Sequence, residues 1–394
     1  MMKALVNSCR FIVGILFIFS GLIKANDPIG LSYKMQEFFD LWKMSALDGI
    51  TLTLSVLMIA FEIIAGVALL LGWKKKLISW LLLLLIVFFT FLTGYAYLSG
   101  KFSNCGCFGD CIPISSGASF AKDVVLLILI LFLFFNRQYI QPVFSKSVTN
   151  AVLVVLALLS FGIQWYTLHY LPVLDCLPFK TGNYIPDKTK VPANSIPDST
   201  EITFVYEKGG KKLEFNADHF PDDFNDSTYK FIDRYDKVIR KGTNNIPEIR
   251  GFDFQNSAGI NVTQEILGGN YVLLLFHEDA STPVEKWKNG FEPVYHWAEK
   301  KKVPLYIISS LAPVVKQEIA ATGFKGLEVL AGDRVMIRMA ARTNPTLYLL
   351  KKGTIAGKWS YKKLDAALKV LKALPVVPPP AYQELISADT SSVK

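Results

Sequence analysis

Five apolar stretches, each close to twenty residues long, constrain this 394-residue chain more than anything else in it. They fall at about 6–24, 50–72, 77–99, 121–138 and 149–171. A bilayer span needs about 20 mostly apolar residues in a helix. Inside lipid the backbone must satisfy its own hydrogen bonds, which makes helices the expected form. Charge divides the same way: the first 176 residues hold 20 Asp, Glu, Lys and Arg, and the remaining 218 hold 55. The front part reads as membrane and the back part as ordinary globular protein, so a wholly soluble or disordered chain is excluded. The net charge of +9 is spread over both parts without a basic stripe. Membrane lipid is therefore an expected partner and nucleic acid is not.

Lys3 and Arg10 precede the first apolar run as they would in a secretory leader. The run ends in Ser20-Gly21-Leu22-Ile23-Lys24-Ala25-Asn26, which lacks a small-x-small cleavage site, so the first helix is expected to be retained. An excess of Lys and Arg marks cytoplasmic loops. Lys74, Lys75 and Lys76 crowd the loop after the second span, and Arg137 and Lys146 flank the loop after the fourth. With Lys3 and Arg10 they predict a cytoplasmic N-terminus. Loops 25–49 and 100–120, and everything after the fifth span, then lie outside the inner (cytoplasmic) membrane, on the periplasmic side. Glu62 sits inside the second span, in Ala60-Phe61-Glu62-Ile63-Ile64-Ala65-Gly66. A carboxyl at that depth is costly and faces the bundle interior. It reads either as a proton or quinone-site group or as a structural carboxyl bonded to a neighbouring helix. Ala65 and Gly66 beside it suit close helix packing.

Cys9 lies near the cytoplasmic face, and the other four cysteines lie outside, where disulfides persist. Three of them crowd Cys105-Gly106-Cys107-Phe108-Gly109-Asp110-Cys111. A Cys-x-Cys pair closes only a small strained ring, and strained disulfides are the more oxidising ones. Gly106 supplies the backbone freedom such a ring needs. A redox-active pair, a purely structural disulfide set and a Cys-rich metal site all remain open. The last lacks a Cys-x-x-Cys pair or a nearby His, so no metal is assigned.

Residues 10–24, Arg10-Phe11-Ile12-Val13-Gly14-Ile15-Leu16-Phe17-Ile18-Phe19-Ser20-Gly21-Leu22-Ile23-Lys24, resemble the opening of DoxX-like proteins. Cys105-Gly106-Cys107-Phe108-Gly109-Asp110, between the third and fourth spans, resembles the signature of MauE-type members. The resemblance covers residues 5–145. It implies a four-helix bundle laid out like quinone-linked thiol oxidoreductases. MauE-type members are associated with disulfide formation in a periplasmic protein partner and other DoxX relatives with quinone-linked sulfur oxidation, which leaves the electron acceptor open, a quinone being one candidate. It makes Cys105 and Cys107 the candidate redox pair. Cys111 and Cys176 fall outside that motif and both lie at outer helix ends. They are therefore expected to bridge, closing a loop of about 65 residues.

Beyond the fifth span, a Pro-, Lys- and Asn-rich stretch reads as an extended connector. Residues 202–207 and 211–215 then form a hairpin across Gly209-Gly210. From about 246 strands and helices alternate: strands at 271–276 and 303–309, helices at 283–302, 313–322 and 333–342, a hairpin over 346–351 and 354–359, and a last helix at 362–374. This order resembles the thioredoxin fold of the TlpA and peroxiredoxin type. In that family the residue at Pro345 would be a cis-proline. Ser281 and Val284 occupy the two positions of the family's Cys-x-x-Cys pair, where a helix N-terminus would lower a thiol pKa. The site is thus a degenerate one. His277, Asp279 and Ser281 do not suggest a hydrolytic triad, because residues so close in sequence rarely converge.

The expected fold class is a membrane α-helical bundle, a DoxX-like four-helix core plus a fifth span, followed by an α/β thioredoxin-like domain. The expected domains are the bundle at 1–145, the fifth helix at 146–175, the connector with hairpin at 176–245, the thioredoxin-like domain at 246–375 and a mobile tail at 376–394. The expected function is thiol-disulfide redox chemistry through Cys105 and Cys107, with the C-terminal domain docking a protein partner. The alternative is a non-catalytic membrane subunit that binds a partner in an envelope complex. A small-solute transporter is weaker, since the spans show no paired broken helices.

Overall fold

The structure is a computed structural model that describes residues 1–100, 106, 108–216, 219–225, 227–240, 242–324 and 326–375. Among the described residues, five helices are long and apolar enough to cross a membrane. They are α1 (Met2–Asn26), α3 (Thr51–Leu71, with a preceding 3-10 turn), α4 (Lys75–Ser99), α5 (Ser116–Phe135) and α6 (Lys146–Tyr170). Their buried faces share one core, including Val13, Phe17, Leu69, Leu82, Ile86, Leu126, Ile130 and Leu153. Lipid-directed side chains such as Leu84, Phe91 and Leu158 stay exposed, as they must where the surrounding solvent is itself apolar.

Beyond the short turns α7 (Ile185–Lys188) and α8 (Thr263–Gly268), one longer helix was not expected. Residues 25–49 read as a loop, yet α2 (Pro28–Leu41) occupies most of it. Asp27 caps its first turn by accepting from the Gly30 amide at 3.0 Å, and Pro28 stands at N1, both ordinary helix-start features. Leu31, Met35, Phe38, Phe39 and Trp42 recur at helical spacing on the face turned to the bundle. At 14 residues α2 is too short to cross a bilayer.

Among the described residues, the C-terminal part carries two sheets. β1 (Ser199–Lys208) pairs antiparallel with β2 (Lys211–Asn216) across Gly209-Gly210, both at positive φ, and with β3 (Lys230–Arg240) on its other side. β3 lies between the hairpin and residue 246, where the sequence marks no strand. Its side chains are almost all exposed, so no alternation marks it. A single turn, α7 (Ile185–Lys188), precedes these strands. The second sheet has the order β4-β7-β6-β5-β8-β9. Its strands are β4 (Phe254–Gln255), β5 (Val272–Phe276), β6 (Leu305–Ser309), β7 (Glu328–Gly332), β8 (Thr346–Lys351) and β9 (Thr354–Ser360). α8 (Thr263–Gly268) leads into it, and α9 (Lys288–Lys301), α10 (Ala312–Ala320), α11 (Arg334–Ala340) and α12 (Leu364–Lys372) cover it.

β5 and β6 are parallel, β8 runs antiparallel to β5, β9 turns back antiparallel to β8, and a cis Asn344–Pro345 bond precedes β8. A parallel pair, an antiparallel hairpin and a cis-proline at the start of its first strand define the thioredoxin-like arrangement. β5 is apolar throughout because it is covered on both faces. Leu273 and Leu275 join Phe291, Val315 and Leu364 on one side. Val272, Leu274 and Phe276 join Met336 and Ile337 on the other. Within the stretch read as connector, Phe179 and Ile185 belong to that second core.

α1 and α3 cross where Gly14 meets Gly66. A Cβ on Gly66 would lie 2.9 Å from the Gly14 carbonyl oxygen and 2.9 Å from Ile18 Cγ1. Gly66→Leu is expected to destabilise the bundle by about 1–3 kcal/mol through overpacking, read as a lower thermal transition in detergent. Gly49→Ala, where a Cβ meets nothing within 4 Å, should leave it unchanged. An unaltered transition for Gly66→Leu would contradict the crossing.

Candidate functional site

Ionisable side chains cluster where α1, α3, α4 and α5 converge, at the bundle end carrying residues 106 and 108–111. Lys24 Nζ lies 2.6 Å from Glu62 Oε1, with both side chains buried at 3% and 1% exposure. Ser20 Oγ donates to Glu62 Oε2 at 3.2 Å. Glu62 thus faces the interior and holds a partner on a neighbouring helix. A second pair adjoins it: Lys122 Nζ is 2.5 Å from Asp123 Oδ1, and Thr93 Oγ1 donates to Asp123 Oδ2 at 3.0 Å. Lys24 stands over the Phe89 ring at 4.8 Å, and Lys122 over Phe108 at 5.2 Å. All four charged residues line one small cleft. Charges so buried persist because each is paired and hydrogen-bonded. The sequence pointed to Glu62 alone; Lys24 and Asp123 sit at span ends, where charges are ordinary.

Beside this cleft is a larger cavity of ≈ 250 Å³, walled by α2, α3 and α4. Its wall is almost wholly apolar and includes Met35, Phe38, Trp42, Met58, Phe88 and Leu92, while Lys24, Lys34 and Thr93 supply polar groups. Gly106, the residue between Cys105 and Cys107, also lines it. Cys105 and Cys107 themselves lie outside the described residues.

Cys111 and Cys176 form a disulfide with Cα atoms 4.8 Å apart, closing a separation of 65 residues. Asn26 lies against it, exchanging hydrogen bonds with the Leu174 backbone at 2.8 and 2.9 Å. The residue before each bridging cysteine is an aspartate, and both aspartates reach the C-terminal domain. Asp110 Oδ2 is 2.9 Å from Arg342 Nη2, and Asp175 Oδ2 is 3.1 Å from Lys358 Nζ. Arg342 Nε also bonds both oxygens of Asp27, at 3.0 and 2.8 Å. Burial by itself would lower the Arg342 pKa, but Asp27 and Asp110 outweigh it and raise it. Lys358 goes the other way, since burial lowers its pKa more than Asp175 raises it. Arg338 joins the same seam, bonding Gln36 Oε1 at 2.9 Å and Glu278 Oε1 at 2.7 Å. Tyr33 donates to Glu278 Oε2 at 3.4 Å. Burial, and then the Glu278 charge, push the Tyr33 phenol above its ordinary pKa, so it stays a donor.

In the thioredoxin-like domain Ser281 is exposed and Val284 is buried. Asn344, just before cis-Pro345, ties this region together. Its Nδ2 donates to Asp279 Oδ1 at 3.1 Å and to Ser281 Oγ at 3.2 Å. Its Oδ1 is 2.7 Å from His277 Nδ1 and accepts from the Glu278 amide at 3.1 Å. The other His277 nitrogen lies 3.6 Å from Glu318 Oε2. His277 is thus directed to Asn344 and Glu318, not to Ser281. No thiol is present at either position, so this face cannot form a disulfide of its own.

These features define a multi-pass membrane protein that carries a thioredoxin-like domain. Residues 2–136 match the family model of methylamine utilisation protein MauE and form a MauE-type membrane domain. Residues 200–241 match a domain of unknown function, DUF8463, which takes in the three-stranded sheet. Over 129 residues the chain is 30% identical to Protein TlpB of Flavobacterium psychrophilum, covering 32% of this chain and 35% of that protein. It therefore spans about a third of the length of this curated relative. Solved structures similar to part of the chain include BsSco, a member of the Sco family of cytochrome c oxidase assembly proteins, at 16% identity and TM-score 0.25, covering 32% of this chain and 91% of that one. The exposed lipoprotein thioredoxin Etrx1 of Streptococcus pneumoniae strain TIGR4 is 17% identical with TM-score 0.26, covering 32% and 100%. A thio-disulfide isomerase of Thermus thermophilus is 19% identical with TM-score 0.25, covering 31% and 93%.

Removing one member of a buried ion pair leaves an uncompensated charge, at a cost of about 3–5 kcal/mol. Lys24→Met is therefore expected to destabilise the bundle strongly, and adding Glu62→Leu should recover most of the loss. Unfolding in detergent measures both. Strictly additive losses would show that the two charges do not depend on each other.

Proposed function

We propose that this protein carries out thiol-disulfide exchange on the outer side of the cytoplasmic membrane through Cys105 and Cys107. The observation that carries the reading is the position of Gly106. The residue between the two thiols lines an apolar, aromatic-rich cavity that also receives Lys24. An oxidised Cys105–Cys107 pair would accept two electrons from a partner's dithiol, leaving the partner disulfide-bonded and the loop as two thiols. Reoxidation would pass two electrons and two protons to an apolar acceptor of the quinone class, held as a substrate in the cavity. Largely apolar walls with a few polar groups are what such a ligand requires. Lys24 and Glu62, hydrogen-bonded to each other in the adjoining cleft, are placed to move protons during that step. Glu62 is then a proton-handling group as well as the partner of Lys24. The thioredoxin-like domain takes no electrons, because Ser281 and Val284 leave it without a redox pair.

Orientation belongs to the same proposal. The lysines at 74–76 face the cytoplasm and the C-terminal domain faces the oxidising side. A reporter fused after Lys394 should be active only outside the cytoplasm. Activity confined to the cytoplasm would place the thiols in a reducing compartment and end the redox reading.

The chemistry is tested with Cys105→Ser and Cys107→Ser in native membranes. Each is expected to abolish oxidation of a dithiol substrate. Presented with the oxidised, disulfide form of the partner, one of them should accumulate a mixed disulfide as its remaining thiolate displaces one partner sulfur as a thiolate, while Ser281→Ala leaves the rate unchanged. If the double variant oxidises substrate like the parent, the alternative of a non-catalytic partner-binding subunit takes its place.

A further inference from the structure

Resting on the thiol-loop reading, we propose that Arg342 is a positioning residue: the thioredoxin-like domain uses it to hold the Cys105–Cys107 loop in place from outside the bundle. The contact differs in kind from an ordinary surface ion pair. The Arg342 side chain is only 4% exposed. All three of its nitrogens are engaged: Nε on Asp27, Nη2 on Asp110 and Nη1 on the Arg338 carbonyl. A planar guanidinium suits such divided duty, because its donors are fixed in direction. Asp27 and Asp110 would repel each other without a cation between them.

Each of the two carboxylates commands an element that matters. Asp27 caps α2, which walls the cavity. Asp110 lies three residues beyond Cys107 and directly before Cys111. The chain between those cysteines is held at several points. The Phe108 ring packs edge-on against Phe19 at 5.9 Å. The Gly109 amide donates to the Gly106 carbonyl at 2.9 Å, closing a turn at positive φ. Cys111 is bridged to Cys176. Among the described residues, Asp110 is where the C-terminal domain takes hold of this segment by an ion pair.

The grip is reinforced through the bridge. Lys358 takes Asp175, the residue before Cys176, as Arg342 takes the residue before Cys111. With their cysteines joined, the two aspartates present adjacent seats to two cations of the same domain. Arg342 also stands three residues before cis-Pro345. The face that carries the reactive pair in a redox-competent thioredoxin is here turned to steadying a reactive pair on another part of the chain.

The test uses the full chain in lipid nanodiscs. Cys105 and Cys107 are reduced under conditions that keep the Cys111–Cys176 bridge, and their alkylation by iodoacetamide is monitored against pH by peptide mass spectrometry. Arg342→Ala is expected to change the alkylation rate of the loop thiols by about tenfold, within the usual range for coupling between separate sites. Asp110→Asn should change it in the same direction, and the double variant should add little to either alone. Arg342→Lys keeps the charge but not the fork, so it should restore only part of the parental profile. Peptide mapping of the intact bridge and protease resistance of the C-terminal domain report that each variant is folded. If Arg342→Ala does not accumulate, the Lys and Asn variants carry the comparison. A parental profile in the folded variants overturns the proposal. The readout needs no turnover, so a chain that shows this coupling yet never oxidises a dithiol would overturn the redox reading and leave the role of Arg342 standing.

Discussion

The bond between Cys111 and Cys176 decides how the two halves of the molecule can meet. It joins the segment between α4 and α5 to the exit of α6, so the membrane bundle and the root of the C-terminal domain share one covalent corner. Closing a loop of this length removes much freedom from the unfolded chain, on the order of 3–5 kcal/mol in the entropic description. Its structural effect is local and larger. It holds Asp110 and Asp175 near each other, and those side chains meet Arg342 and Lys358. Asn26 hydrogen-bonds the Leu174 backbone beside the bridge, adding the end of α1 to the same corner.

The bundle resolves a different difficulty with related means. Lipid offers no water to solvate a carboxylate or an ammonium, so any charge retained there has to find its opposite inside the protein. Glu62 finds Lys24, and Asp123 finds Lys122, with hydroxyls of Ser20 and Thr93 taking up remaining acceptor positions. The pairs stand where four helices converge instead of being scattered along them. Such concentration is not what helix association alone would require, since α1 and α3 already cross closely through Gly14 and Gly66.

Much of this was legible in the sequence, for identifiable reasons. Spans are long and apolar, so composition alone locates α1 and α3 to α6. Gly209-Gly210 marks a hairpin because tight turns need positive φ, and β5 stands out because a strand covered on both faces has no polar positions. The elements that escaped notice lack such signals. α2 is amphipathic but contains Lys34, Glu37 and Asp40, which made its stretch look like a charged loop. β3 is exposed nearly throughout, and β7 is a five-residue strand between two helices. At the site, Glu62 was conspicuous because a carboxyl in mid-span is costly anywhere. Its partner Lys24 was not, because a lysine near a helix end needs no explanation. Arg342 and Asp110 are 232 residues apart, and nothing local to either announces the other. A weak signal did exist: an aspartate stands immediately before each of the two cysteines outside the Cys-x-Cys pair.

α2 has two working sides. Leu31, Met35, Phe38 and Trp42 line the cavity, while Tyr33 and Gln36 on another face hold Glu278 and Arg338 of the C-terminal domain. The same helix therefore takes part in the wall of the cavity and in the seat of the domain. If a ligand in the cavity favours one placement of α2, it favours the seating of the domain that goes with that placement. Thermodynamic linkage would then make the effect mutual: whatever such a ligand did to the seating of the domain, a shift of the domain would do to affinity in the cavity by the same factor. The short helix that looked like a loop is thereby a balance beam between the lipid phase and the aqueous one.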